Sequence, residues 1–345
     1  MRHRLSRWYA VWLLLVLAPV GAEYLLGYDT STGHPGQLVA GLLILIPLYG
    51  APAVLIRDLA RRSGRGWPTI LSWCAAWGVV QAGLVDQSMF NPDYRQIEYW
   101  DALWAPTELA GVSVFAALTF VLGHVIFSLG APIALAESVF ADLADQPWLS
   151  RWSNVLLLIL GVTALVLVGA DHQQTEPFTA SPGQLTSCVI VIVLLVLAPL
   201  ARRRHHVDRT SPVETSREWP PLALGLAAFI AAIVLMIVAP PTWLGVGLWL
   251  TIIPAMALWV WRFGRDRVDQ RHRVALSTGA LLAISMVGLL IEPLGDVSTT
   301  RVIAHHVVLS LLIVGLGVRG WRVANDAHTS SDAMPPAQRW PTSSN

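Results

Sequence analysis

Stretches of 18 or more mostly apolar residues recur along almost the whole chain. A helix needs about 20 such residues to cross a bilayer, where the backbone must satisfy its own hydrogen bonds. The sequence therefore predicts an all-α fold, a polytopic helical membrane protein with about ten transmembrane helices. The predicted spans lie at roughly 8–26, 38–56, 67–90, 109–136, 152–170, 183–201, 220–239, 242–262, 274–294 and 302–321.

The composition agrees with this class of protein. Only 13% of the residues are charged and 54% are hydrophobic, with a mean hydropathy of +0.57, which leaves too little polar surface for a soluble globule. We predict one transmembrane helical domain over residues 1–323. The remaining residues, 324–345, are polar and rich in Ser and Pro, and this composition predicts a disordered cytoplasmic tail.

The basic residues are distributed asymmetrically between the predicted loops. All 23 are arginine, and all but two, Arg95 and Arg301, fall at the chain ends or in every second loop. The positive-inside rule then predicts a cytoplasmic N-terminus and a cytoplasmic C-terminus. Arginine in place of lysine is typical of a GC-rich bacterial genome, so we expect a bacterial plasma (inner) membrane. The small residues 20–22 leave a cleaved signal peptide as an alternative to the first span.

The chain lacks the motifs of several functional classes. It has no phosphate-binding Walker loop, GxGxxG fingerprint, CxxC pair or HExxH motif. This argues against a pump driven by ATP within this chain, and we expect no cofactor, no metal and no nucleic-acid partner. The two cysteines, Cys74 and Cys188, lie in apolar segments near opposite membrane faces, which argues against a disulfide.

Ionisable residues inside the bilayer are functional candidates because burial of a charge there costs several kcal/mol, at least about 2.5. Asp86, followed by Gln87, lies in the outer part of the third predicted span, and His124 lies near the middle of the fourth. Gln87 and Asn91, one turn apart, could hydrogen-bond a polar solute. Glu23 and Glu137 lie at span ends, where we expect them to reach the membrane interface.

The last two predicted spans form a hairpin with a short loop. Glu292 closes one span, and His305 and His306 open the next, at nearly the same depth. The sequence therefore predicts a hydrogen bond or ion pair between the glutamate and this histidine pair. Such a contact serves either as a structural clamp or as a titrating proton site.

Helix-breaking residues interrupt the second predicted span. Pro47, Gly50 and Pro52 lie within six residues of each other, and Pro254 lies in the eighth span. Breaks of this kind expose backbone groups at transporter binding sites, although proline kinks are also common in membrane helices.

Two family resemblances add to this interpretation. Residues 33–71, together with the "GLVDQSMFNPDY" stretch, resemble uncharacterised bacterial multi-pass membrane proteins of actinobacterial type, over roughly the first 140 residues. The "FVLGH" stretch, Phe120 to His124, resembles the FxxxH motif of CAAX-protease and bacteriocin-processing (CPBP) enzymes. The glutamate pair and arginine of that family are missing, since Gln81 and Ala82 stand where the acids are expected.

Three functional hypotheses follow. The first is a non-enzymatic, transporter-like protein with an outward-facing polar cavity that binds a small polar solute or protons. We expect the cavity to be lined by Asp86, Gln87, His124, Glu292, His305 and His306. The second is a CPBP-like intramembrane protease, or an inactive relative, in which His124 would be catalytic. The third is a structural or assembly subunit of the membrane; the oligomeric state stays open.

Overall fold

The computed structural model describes residues 2–201, 220–264 and 270–332, and this part of the chain is almost entirely helical. Ten long helices follow one another in chain order: α1 (Leu5–Tyr24), α2 (Pro35–Arg62), α3 (Trp67–Val85), α4 (Val114–Val139), α5 (Arg151–Thr175), α6 (Pro182–Ala201), α7 (Pro221–Val238), α8 (Trp243–Gly264), α9 (Gln270–Gly288) and α10 (Thr299–Asp332). The loop between α3 and α4 holds a short helix, Trp100–Trp104, and two paired strands, Glu108–Leu109 and Val112–Ser113. These strands are antiparallel.

Nine of the ten helices are long and apolar enough to cross a membrane, among the residues that the structure describes. The exception is α9, which begins with the polar sequence "QRHR". It nevertheless runs antiparallel to α10, because Gly288 lies beside His306 at one end and Val274 beside Gly320 at the other. The predicted hairpin is therefore confirmed, and nearly the whole length of α9 runs alongside α10.

Predicted span ends differ from the structure at two places that concern the site residues. The third span ends at Val85 rather than at residue 90, so Asp86 and Gln87 follow the helix instead of lying inside it. The ninth ends at Gly288 rather than at residue 294, so Glu292 follows its helix as well. The last helix continues to Asp332, and the disordered tail stays a prediction. Residues 333–345 of that predicted tail lie outside the described residues.

Local sequence explains where several helices begin. Proline occupies the first position of α2, α6 and α7, where its missing N–H costs nothing and its fixed φ suits a helix. The backbone N–H of Ala116 donates to the Ser113 hydroxyl at the start of α4, and Ser153 does the same to Ser150 at the start of α5. Helix starts are therefore encoded within a few residues.

The bundle interior lies between α1, α2, α4 and α9. Leu14 and Ala18 of α1 are fully buried, and α9 packs against α4, α7 and α10. Gly21 and Gly50 permit close approaches, since a Cβ at either position would lie 2.3 Å from a backbone oxygen of the facing helix. By contrast, α5 and α6 expose leucine, isoleucine and valine over most of their length, as expected of helices that face lipid.

Five of the described helices contain a π-helical turn. These turns are Val20–Tyr24 in α1, Ile46–Gly50 in α2, Val80–Val85 in α3, His124–Gly130 in α4 and Val234–Val238 in α7. The turns of α1 and α4 pack against each other, and that of α2 packs against α1. The predicted break at Pro47 is thus a π-turn within a continuous helix. Turns of this kind are rare and frequently mark functional sites.

A buried ion-pair network joins the arginine-rich end of α2 to the C-terminal end of α4. Glu137 is fully buried and accepts from Arg57 Nε at 3.0 Å and from Arg61 Nη2 at 2.7 Å. The Arg57 guanidinium also lies 3.7 Å from the centroid of the Trp148 ring. The expectation that Glu137 reaches the membrane interface is therefore wrong, because two arginines neutralise it inside the protein.

Asp58, the residue after Arg57, extends this network to α5. Its Oδ1 accepts from the backbone N–H groups of Trp148, at 2.5 Å, and Leu149, at 3.2 Å, and its Oδ2 accepts from Asn154 at 2.8 Å. Each oxygen of this buried carboxylate therefore has a donor, which is the condition for burying a charge at tolerable cost. We call Arg57, Asp58, Arg61 and Glu137 the charged clamp.

Removal of the charge at the centre of the clamp should destabilise the protein. Glu137→Gln keeps the shape of the side chain but leaves two buried arginines uncompensated, which we expect to cost about 3 kcal/mol or more. Thermal unfolding in detergent measures this loss. Asp145→Asn is the matched control, because Asp145 also pairs with Arg61 but its side chain is 73% exposed. Equal melting temperatures for the two variants would contradict the assignment.

Orientation can be tested at the two ends of α4. In a chain with Cys74→Ala and Cys188→Ala, we introduce one cysteine at exposed Asp101 or at exposed Asp142. The arginine distribution predicts that a membrane-impermeant maleimide labels position 101 in intact cells and position 142 only after permeabilisation. The reverse labelling pattern would contradict the predicted orientation.

Candidate functional site

Glu23 lies in the π-turn of α1 and accepts two hydrogen bonds from neutral phenols. The Tyr49 hydroxyl of α2 donates to Oε1 at 2.7 Å, and the Tyr28 hydroxyl donates to Oε2 at 2.9 Å. Both oxygens are thus satisfied, and within the described residues no arginine lies at ion-pair distance. This membrane-embedded carboxylate has hydrogen-bond donors but no paired cation.

His124 joins this arrangement from α4. Its ring stacks on the Tyr49 ring, with centroids 5.8 Å apart and an interplanar angle of 29°. Its Nδ1 lies 2.9 Å from the Ser128 hydroxyl, one turn further along the helix. The histidine therefore reaches Glu23 only through Tyr49, and a direct contact between the two is not made.

Arg95 approaches the same site from the loop after α3. Its guanidinium carbon lies 6.0 Å from the centroid of the Tyr28 ring, and Nη2 lies 3.9 Å from Asp29 Oδ1. The backbone at Arg95 is left-handed, with φ of 55°, and its N–H donates to Glu176 at 3.0 Å. The loop thus places one cation beside Tyr28, at the distant limit of both interactions.

Asp86 follows the last residue of α3 and turns back on its own chain. Its Oδ1 accepts from the backbone N–H of Ser88 at 3.0 Å and from the Ser88 hydroxyl at 2.8 Å. Burial, with a smaller contribution from the negative charge of Glu23, raises the pKa of Asp86 to about 6 against the opposing effects of the Ser88 hydrogen bonds and Arg95. Asp86 and Glu23 therefore influence each other electrostatically.

Several of these side chains lie deep in the protein and still keep accessible surface. Glu23, Tyr28, Asp86 and His124 have many protein neighbours, and each still keeps part of its surface accessible. Together with the two residues that interact with them, they form what we call the carboxylate–tyrosine cluster: Glu23, Tyr28, Tyr49, Asp86, Arg95 and His124.

Gln81 supplies a buried acceptor one π-turn before Asp86, whose backbone N–H donates to the Gln81 carbonyl at 3.0 Å. It lies in the π-turn of α3, its exposure is 3%, and its Oε1 has no hydrogen-bond partner among the described residues. This π-turn packs against α4, α5 and α6.

Gln87 and Asn91, which were expected to face a solute, are used by the loops instead. Gln87 has a left-handed φ of 52°, and its Oε1 accepts from the Ala180 backbone N–H at 2.6 Å. The Asn91 carbonyl accepts from the Trp100 indole at 2.8 Å. Because α3 ends before both residues, the two do not form one helix face, and Gln87 holds the loop before α6 in place.

The histidine pair lies apart from Glu292. His305 Nε2 donates to the Tyr24 carbonyl at 2.7 Å, and His306 Nδ1 lies 3.5 Å from the Ser285 hydroxyl. Glu292 is exposed and, within the described residues, forms no hydrogen bond to either histidine, so the expected pairing is wrong. The pair instead holds α10 against the end of α1. The described residues contain no group of three or more side chains suited to a metal ion.

The residues predicted from the sequence include Asp86 and His124 but not those at the centre of the cluster. The position of Glu23 near a span end favours the membrane interface, and nothing in the hydropathy pattern distinguishes Tyr28 or Tyr49. The available signal was Tyr49 beside Pro47 and Gly50, since that pattern marks the π-turn that directs the tyrosine towards α1.

The helices and the buried cluster define the chain as an all-α polytopic integral membrane protein, which lies in a lipid bilayer. It belongs to a family described as "Uncharacterized membrane protein family", which matches residues 12–325. That match confirms the resemblance to uncharacterised multi-pass membrane proteins and extends it from the first 140 residues to nearly the whole chain. It gives no support to a CPBP or actinobacterial relationship. No curated protein and no solved structure matches the chain.

The raised pKa of Asp86 predicts a pH-dependent stability. Its folded-state pKa of about 6 exceeds the ordinary 3.8, so the folded protein binds more protons between these values and loses stability as pH rises through them. Asp86→Asn should remove this loss. We expect the variant to gain on the order of 1 to 3 kcal/mol over the native chain between pH 4 and pH 7.

Chemical unfolding in detergent across this pH range measures the difference. Asp93→Asn, at an exposed position in the same loop, is the control and should follow the native profile. Parallel pH profiles for Asp86→Asn and the native protein would contradict the burial of an ionisable carboxyl at this position.

Proposed function

We propose that the protein is transporter-like and moves a small polar solute across a bacterial plasma membrane in exchange with protons at Glu23. The observation that carries this proposal is the Glu23 carboxylate itself. It lies inside a membrane helix, bonds to two phenols and keeps accessible surface. Intramembrane carboxylates of this kind are typical of proton and solute pathways.

The chain supplies its own comparison between two buried glutamates. Glu137 is fully enclosed, and two arginines neutralise it at hydrogen-bond distance. Glu23 has hydrogen-bond donors without a contacting cation among the described residues, and part of its surface stays accessible. A residue with a purely structural role is expected to resemble Glu137. This difference between the surroundings of Glu23 and Glu137 favours a functional role for Glu23 over the hypothesis of a structural subunit.

Proton exchange at Glu23 would change the charge of its surroundings. The ionisable groups that face it are Tyr28, Asp29, Tyr49 and Arg95, with Asp86 on the neighbouring helix end. Protonation removes one of three negative charges near a single guanidinium. The cluster can therefore alternate between two charge states, which is the minimum that coupling of a solute to protons requires.

The protease alternative has less support. His124 stacks on Tyr49 and bonds to Ser128, and within the described residues it contacts no carboxylate. A hydrolase of the CPBP type requires acids close to this histidine to activate water. Gln81 stands in their place, and its amide cannot act as a general base.

Proteoliposomes with an internal pH dye test the transport proposal. We expect addition of a transported solute from a panel of small organic cations, anions and neutral polar compounds to change the internal pH. Glu23→Gln should reduce this signal at least tenfold, because the proton-binding group is lost. Glu98→Gln, at an exposed carboxylate in the loop after α3, is the matched control and should retain native flux.

Two results would contradict the proposal. One is a native signal from Glu23→Gln with a solute that the native protein transports. The other is the absence of a pH signal for every compound on the panel, when the reconstituted protein is folded. A melting temperature of Glu23→Gln close to the native value excludes misfolding as the cause of lost flux.

A further inference from the structure

Two guanidinium groups reach the protein surface where the arginine-rich end of α2 meets the start of α5. The side chain of Arg62 is 31% exposed, and its Nη2 donates to Asp58 Oδ2 at 3.1 Å and to the Leu149 carbonyl. Arg151 follows Leu149 by two residues, is exposed, and is the first residue of α5. The Arg62 guanidinium therefore lies close to Arg151 along the chain, at the junction of two helices.

The positive charge at this surface is only partly compensated. Asp58 is fully buried, and it shares its two oxygens between Arg62 and several donors at the start of α5. Arg151 makes no hydrogen bond or ion pair with the described residues. The nearest carboxylate before it along the chain, Asp145, pairs with Arg61 at 3.3 Å. This surface is therefore suited to an anion.

Arg62 is also held in place before any ligand arrives. Its two protein bonds are both made by Nη2, which leaves Nε and Nη1 without a partner among the described residues. A guanidinium can donate two parallel N–H bonds to the oxygens of a phosphate group. Because Arg62 is already fixed to Asp58 and to the Leu149 carbonyl, little side-chain freedom is lost on binding.

An exposed apolar surface continues from the same place along the membrane helices. Trp152, the residue after Arg151, is 83% exposed, and Leu156 and Ile159 are exposed on the same face of α5. Leu59, one turn before Arg62 on α2, is exposed as well. Tryptophan is typical of the membrane–water interface, so the arginines lie at the depth of lipid headgroups. A free phosphate would use only the charged part of this surface, whereas a phospholipid would use both parts.

From the charge and the apolar surface together we propose that Arg62, Arg151 and Trp152 form a binding site for one anionic phospholipid. The phosphate lies against the two guanidinium groups, and an acyl chain lies along the face of α5 that begins at Trp152. The arginine distribution predicts that this end of the bundle faces the cytoplasm, where the leaflet carries anionic lipids. The site is separate from the carboxylate–tyrosine cluster, and the inference does not depend on the transport proposal.

The test uses the full chain, purified in a mild non-ionic detergent. Native mass spectrometry measures the dissociation constant of the first bound lipid, with dioleoyl phosphatidylglycerol as the anionic probe. Dioleoyl phosphatidylcholine has the same chains and phosphate but no net charge. We expect phosphatidylglycerol to bind about fivefold more tightly. A fivefold change corresponds to about 1 kcal/mol, which is typical of one basic residue at an anionic membrane surface.

Single substitutions distinguish this site from general attraction to a basic surface. Arg151→Gln removes one guanidinium that makes no contact with the described residues, so the fold should be retained and phosphatidylglycerol should bind about fivefold more weakly. Trp152→Ala should weaken both lipids, because both have the same chains. Arg322→Gln is the matched control, since Arg322 is an exposed arginine at the same predicted membrane face, on α10. It should bind phosphatidylglycerol like the native protein.

Four results would overturn the inference. Equal affinity for the two lipids would remove the role of charge, and native affinity of Arg151→Gln would remove the site from this arginine. A loss in Arg322→Gln as large as that in Arg151→Gln would show attraction to the basic surface as a whole. Displacement of phosphatidylglycerol by an equimolar amount of inorganic phosphate would assign the site to a free phosphate instead of a lipid.

Discussion

The ion pairs between Glu137 and the arginines of α2 fix the relative position of the two helices on which the cluster depends. Arg57 and Arg61 hold α2 against the end of α4. Tyr49 lies about two turns from Arg57 on α2, and His124 lies further along α4. A register shift between these helices would separate the Tyr49 and His124 rings. The clamp therefore keeps the Tyr49 and His124 rings in register. Removal of one partner from such a buried pair costs far more free energy than the intact pair contributes to stability.

The arginine-rich end and the middle of α2 therefore meet opposite electrostatic requirements. At the arginine-rich end, every charge of the clamp is compensated by an opposite charge or by several donors. At the middle of α2, where Tyr49 lies, Glu23 of α1 relies on two phenols whose hydrogen bonds suit its ionised form but do not cancel its charge. A bilayer protein can retain such a residue when the rest of the bundle is stable enough to hold it. The closely packed contacts of Gly21 and Gly50 supply part of that stability.

Ten helices in the right order could be predicted from the sequence, because each apolar run is itself the signal for a span. The end of α3 could not, since Asp86 bonds back to Ser88 and Gln87 adopts a left-handed φ, and hydropathy does not register either feature. The partners of Glu23 were also beyond prediction. Whether Tyr49 reaches it depends on how closely α2 approaches α1 at Gly50, which is a tertiary contact. The expected contact of Glu292 with the histidines was wrong because equal depth does not fix side-chain direction.

Three of the five π-turns in the described helices connect these observations. A π-turn replaces favourable α-helical hydrogen bonds with a wider turn, so it is retained only where something compensates for the loss. The turn in α7, Val234–Val238, carries only apolar side chains, and packing accounts for it. The turns of α1, α2 and α4 instead carry Glu23, Tyr49 and His124, which contact one another in sequence through the Tyr49 hydroxyl and ring. The cluster is therefore the place where three packed helices depart together from regular α-helical geometry.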